Sequence, residues 1–209
     1  MTMHAKDYRV RAHETCKPYE NTLALIYLVY SLMLGALGGL SYIGIGAVGL
    51  LIVTGPFLFS WIIIIKKVFA KEKPEVGDLF KGFDYFTKAL VVYLLKTLYT
   101  FLWSLLFIIP GIIKNFSYSM AEYIMLDDPE ISANDAITKS REMMNGHKWE
   151  LFCLIFSYIG WMLLCILTAG ILFLWVGPRM EAARYAFYLN ISGKSEVKEE
   201  VVEQVEVVE

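Results

Sequence analysis

From residue 23 to residue 65 the chain carries no charged side chain. About 20 apolar residues cross the hydrocarbon core of a bilayer as a helix, so this stretch accommodates two crossings in succession. A soluble helix keeps a polar face towards water, and none is written here. Composition agrees: hydrophobic residues make up 57% of the 209 and charged residues 19%. The charges crowd into a few short connectors. The expected fold is therefore all-α, a polytopic transmembrane helix bundle with amphipathic surface helices.

Taken in order, residues 1–21 form a polar arm with Lys6, Arg9, Arg11 and Lys17. Residues 22–192 make the transmembrane domain, and residues 193–209 an acidic tail whose composition predicts disorder. Spans are expected at 23–40, 43–65, 89–109 and 151–169, with the tight turn Ser41-Tyr42 between the first two. Two shorter apolar pieces, 112–126 and 171–188, cross fully or re-enter. Leu79, Phe80, Phe83 and Phe86 recur at helical spacing within the lysine-rich 66–88 connector, which predicts a segment lying along the membrane surface. A second surface helix is expected over 133–145, with Ser132 as its N-cap and Asp135 at the capping-box position. Its apolar face is Ala133, Ala136, Ile137, Ser140, Met143 and Met144.

Aligning on proline brings out an internal repeat. Gly55-Pro56 precedes Lys73-Pro74-Glu75-Val76, Pro110-Gly111 precedes Asp128-Pro129-Glu130-Ile131, and Gly177-Pro178 precedes Lys194-Ser195-Glu196-Val197. The unit reads as three helical repeats, each a helix broken at Pro/Gly, then a shorter helix and an exit turn. The basic connectors put the arm, residues 66–88, residues 127–150 and the tail on one side. By the excess of Lys and Arg in inner loops, that side is the cytoplasm. A plasma-membrane protein with both termini inside follows as the expectation.

Several motifs carry no chemistry on inspection. Gly44-Ile-Gly46-Ala-Val-Gly49 spells a dinucleotide fingerprint, but it lacks the strand, the βαβ unit and the following acidic residue. Those glycines, with Gly35-x-x-x-Gly39, are read instead as places where helices approach closely. His13-x-x-Cys16 is half a zinc site without a second half. No nucleophile with a base, no paired-carboxylate site and no metal-ligand spacing stands out. The formal net charge of −2 points to no nucleic-acid partner. No cofactor, no metal and no enzymatic activity are expected.

Ionisable groups at membrane depth are costly and mark candidate sites. Here they are Lys96, Glu122, Arg179, Glu181 and Arg184. Either they form a polar cluster beside the helix breaks, as in transporters with interrupted helices, or Glu122 pairs with Lys96 and Glu181 with Arg184 while the rest reach the interface. Arg141, His147 and Lys148 are candidate contacts for anionic lipid headgroups.

The run Pro110-Gly-Ile-Ile-Lys114, Tyr118-Ser-Met-Ala121, Asp128-Pro-Glu130, Asn134-x-Ala-Ile137, Ser140-Arg141, Met143-Met144, Gly146-His-Lys-Trp149 and Gly160-Trp161 resembles the bacterial multi-pass membrane family called domain of unknown function 975. The resemblance implies a polytopic bacterial plasma-membrane protein and implies no reaction, substrate or catalytic residue. The function expected is that of a non-enzymatic, membrane-organising or accessory protein. The alternative is a small transporter or permease component using the charges beside the breaks. The expected partner is the lipid bilayer, with protein partners unknown.

Overall fold

The computed structural model describes residues 4–40, 45–168 and 170–194. The Ser41-Tyr42 turn, Gly44 and the acidic tail from Ser195 lie outside the described residues. The elements are α1 (Ala5–Cys16), α2 (Glu20–Leu40), α3 (Ile45–Phe69), a 3-10 segment (Val76–Tyr85), α4 (Phe86–Leu106), α5 (Ile108–Ser117), α6 (Ala121–Asp127), α7 (Ala133–Met143), α8 (Lys148–Phe156), α9 (Ile159–Leu167) and α10 (Phe173–Ile191). The fold is an all-α bundle. Four stretches among the described residues are long and apolar enough to cross a membrane: Ala5–Gly39, Gly49–Phe69, Val76–Leu105 and Lys148–Leu167. The short apolar pieces of the sequence are not among them. Residues 112–126 divide between α5 and α6, and α10 carries Arg179, Glu181 and Arg184.

The polar N-terminal residues do not stand apart from this bundle. Lys17 keeps helical dihedrals (φ −52, ψ −44), so α1 runs through a single 3-10 turn into α2. Tyr8, Ala12 and Cys16, spaced i, i+4, i+8, form one stripe and are buried. Tyr8 meets the ring of Phe187 edge-on at 5.5 Å, and its hydroxyl accepts a hydrogen bond from the Asn190 amide at 2.7 Å. The polar residues of the arm are the remaining faces of a helix docked on α10.

Two of the three expected helix breaks do not occur. α3 runs unbroken through Pro56 and α10 through Pro178. Proline removes one backbone hydrogen bond, and helices surrounded by neighbours tolerate that loss. The middle helix does break, but at Phe107 (φ −157, ψ 143), three residues before Pro110. What the three Pro/Gly pairs share is close contact. A Cβ on Gly55 would lie 2.7 Å from the Ala89 carbonyl oxygen, one on Gly111 2.1 Å from Ser104 Oγ, and one on Gly177 2.5 Å from the Tyr27 ring. Of the glycines expected to make such contacts, Gly35 and Gly39 have nothing within 4 Å and Gly49 has only Leu37 at 3.8 Å. In that part of α2 Leu32 is exposed, and a Cβ on Gly35 or Gly39 would meet open space.

The 66–88 connector packs on protein along part of its apolar side. Its 3-10 segment folds back against α3 and buries Leu79 completely. Ser60 on α3 is the seam: its hydroxyl donates to the Leu79 carbonyl at 2.6 Å and accepts from the Gly82 amide at 3.0 Å. At the open end Lys67 binds Asp78 at 2.8 Å. The pattern of Leu79 with its phenylalanines is amphipathic in the structure as in the sequence. The apolar side meets protein, with Phe83 edge-on to Phe57 at 5.3 Å, while Phe80 stays exposed.

α7 follows the same rule. Its N-cap is as expected, Ser132 accepting from the Asp135 amide at 3.2 Å. Ala136, Ile137 and Ser140 are buried, but against α6 and α4. Here α7 closes the gap between α5 and α6. The Ser140 hydroxyl accepts from the Met120 amide at 3.1 Å and donates to the Ser117 carbonyl at 2.9 Å. A buried backbone group left without a partner costs about 1–3 kcal/mol, so one hydroxyl makes the interruption of an apolar helix tolerable. A comparable interruption between α8 and α9 is met by Arg9, which donates to the Ser157 carbonyl at 3.2 Å.

Candidate functional site

The five expected intramembrane charges divide into three ion pairs. Lys96 on α4 meets Glu122 on α6 at 2.6 Å, with side-chain exposures of 17% and 5%. Glu181 and Arg184, one turn apart on α10, meet at 3.2 Å. Arg179 leaves the group and pairs with Glu20 at the start of α2. Both pairings weighed from the sequence, Glu122 with Lys96 and Glu181 with Arg184, are therefore present, whereas the partner of Arg179 was not foreseen.

Tyr123 joins the first two pairs. It follows Glu122 on α6, and its ring stacks on Tyr188 at 5.1 Å and on Tyr185 at 6.1 Å. Tyr123 and Tyr185 also line a crevice with Glu181 and Trp61, and that crevice has no space for a water-sized sphere (about 0 Å³). Two polar atoms here are buried without a hydrogen-bond partner, Arg184 Nε and Trp61 Nε1. Paired charges, stacked tyrosines and no room for a water-sized sphere describe a cross-brace between α3, α4, α6 and α10.

Sequence reasoning missed one carboxylate with three partners. Asp127 binds Lys66 Nζ at 2.8 Å, accepts from the Tyr188 hydroxyl at 2.8 Å and pairs with Lys194. Burial pushes its carboxyl upward, but the hydrogen bonds from Lys194, Lys66 and Tyr188 outweigh that and hold it below the ordinary carboxylate range. Nothing local in the sequence signals this node, because its partners lie 61 and 67 residues away.

The three expected headgroup contacts are not brought into one site. Arg141 lines a cleft of about 270 Å³ with Tyr99, Trp103 and Lys114, where the Lys114 ammonium stands 4.5 Å from the Trp103 ring centre. His147 and Lys148 do not line that cleft. His147 instead sits 3.1 Å from Glu150. His13 and Cys16 also part company: Cys16 is buried against the bundle, while His13 lines an open cleft. Among the described residues no group of three or more His, Cys, Asp or Glu is placed to hold a metal ion.

A second concave region lies beside α1. Lys6, Arg9 and His13 share a stripe of α1 that faces Tyr158, Trp161 and Arg179 across a cleft of about 410 Å³. The Arg9 guanidinium stands 5.5 Å over the Tyr158 ring.

Residues 105–195, from the last turn of α4 to just past α10, match a family model described as "Protein of unknown function (DUF975)". No curated protein and no solved structure matches the chain.

Proposed function

We propose that this chain is a non-enzymatic integral membrane protein of the bacterial plasma membrane, with both termini inside, that organises or modulates the bilayer or a membrane complex. The observation that carries this reading is the state of the buried charges. Glu122 is matched to Lys96 at 2.6 Å, and the crevice beside Glu181 has no room for water. A transporter of the broken-helix kind needs charges that meet a substrate in a cavity near the midplane. Matched charges in a closed packing serve instead to set which helices touch, because only one arrangement satisfies them.

The test is a reciprocal exchange. Glu122→Gln strands Lys96 and lowers the melting temperature of the detergent-purified protein. Lys96→Glu combined with Glu122→Lys restores most of that loss. If Glu122→Gln leaves the melting temperature unchanged, the charge is not a structural brace, and the alternative of a small transporter or permease component gains ground.

A further inference from the structure

The cleft beside α1 and an apolar groove lie along the same two helices, α9 and α10, and their linings together match the polarity of a phospholipid. α9 and its N-cap Tyr158 supply one wall: Tyr158 and Trp161 border the upper cleft, and Met162, Cys165 and Ile166 border the groove of about 480 Å³. These positions fall at i, i+3, i+4, i+7 and i+8, a single helical stripe. α10 supplies the other wall, with Arg179 and Val176 above and Phe173 below. Along α9 and α10 the lining therefore passes from cations to aromatic rings to aliphatic side chains.

Charge at the upper end is unbalanced. Lys6 and His13 are exposed. Arg9 makes its hydrogen bond to the Ser157 carbonyl and its ring contact with Tyr158. Arg179 has Glu20. Glu14 is the carboxylate on the cleft wall, so cations outnumber it. A phosphate diester at this point gains charge-assisted hydrogen bonds, and aromatic side chains are at home at headgroup level. A free anion would use the cleft but would leave the groove empty, whereas an amphiphile fills both.

We infer that the α1–α9–α10 crevice binds one anionic phospholipid, its phosphate on Lys6, Arg9 and His13 and an acyl chain in the groove between Trp161 and Phe173. This rests on the reading of the chain as membrane-embedded. It does not depend on the organising role proposed above, which the Lys96/Glu122 exchange tests separately.

The full-length protein, purified in a zwitterionic detergent, is titrated with phosphatidylglycerol, phosphatidylcholine or inorganic phosphate and read by native mass spectrometry. Phosphatidylglycerol is expected to bind in one copy at least tenfold better than phosphatidylcholine, with inorganic phosphate failing to compete. Lys6→Gln with His13→Gln is expected to cut retention about fivefold at an unchanged melting temperature. Met162→Trp, which narrows the groove and leaves the cations alone, is expected to weaken phosphatidylglycerol as well. Equal binding of the two lipids overturns the inference, as does full retention by the double variant. Competition by inorganic phosphate at matched concentration reduces the site to an anion cleft and overturns the lipid assignment.

Discussion

The brace around Glu122 and the crevice beside α1 are built from the same residue types and behave in opposite ways. In the brace each described carboxylate has its cation, aromatic rings stack into the remaining space, and no water-sized volume is left. In the crevice cations outnumber carboxylates, the rings stand apart, and about 410 Å³ stays open. Burial of charge is tolerated only when it is matched. Matched charge therefore ends up inside the protein as a fastening, and unmatched charge stays where solvent or a ligand can reach it. Counting basic and acidic residues along the chain does not separate the two, because the matching is done across helices.

The contrast can be broken most severely at the brace. Glu122→Gln leaves Lys96 mostly buried without its carboxylate, and removal of one partner of a buried pair costs about 3–5 kcal/mol. Thermal unfolding in detergent should show it, and Lys96→Met in the same background should recover part of the loss. Next in size is the seam between α3 and the 3-10 segment. A Cβ on Gly82 would stand 2.0 Å from the Pro56 carbonyl oxygen and 2.6 Å from the Ser60 amide nitrogen. Both are backbone atoms that cannot rotate away. Gly82→Ala should therefore cost about 2–3 kcal/mol by overpacking, while Gly35→Ala, in open space, should be neutral or slightly stabilising. Equal effects at the two glycines would remove the distinction drawn between them.

Asp127 sharpens the comparison through pH. Its folded-state carboxyl is held below the ordinary range, so its contribution is complete above the unfolded value near pH 4. That contribution is lost as pH falls from there through the lowered folded value. Both lysines that bind it are about half exposed, which limits the effect to about 1–2 kcal/mol. A melting-temperature series from pH 6 to pH 3 should fall more steeply in the parent than in Asp127→Asn. Parallel curves would mean that the node carries no stability. Smallest of all is the effect of Lys6→Gln with His13→Gln, expected within about 0.5 kcal/mol because both side chains are exposed. A large destabilisation there would make the crevice a second brace.

Periodicity carried much of the local structure. The face of α7 made by Ala136, Ile137 and Ser140 was legible, as was its Ser132 cap, because both depend on spacing within one helix. The stripe of Tyr8, Ala12 and Cys16 was equally legible by spacing and was hidden by the charges around it. Against what each face packs was not legible. An apolar face reads the same whether it meets lipid or protein, so spacing alone did not say that the 66–88 connector packs on α3 or that α7 packs on α4 and α6. The Pro/Gly pairs were visible as a pattern but misread, since a proline's effect on a helix depends on neighbours the sequence does not name. Lys96 with Glu122 was within reach of sequence reasoning because each is a lone charge in an apolar stretch. Arg179 with Glu20, 159 residues apart, was not.

By itself the sequence determined that this is an all-α chain with helices long and apolar enough to cross a membrane, since uncharged runs of that length have no other low-energy home. It also determined which side chains are too polar to be left unmatched there. Only the tertiary structure decided how the matching was done: which charges close on one another, which glycines admit a neighbouring backbone, and which cations face open space. Those outcomes depend on contacts between residues far apart in the chain, and local propensity and hydropathy do not encode such distances.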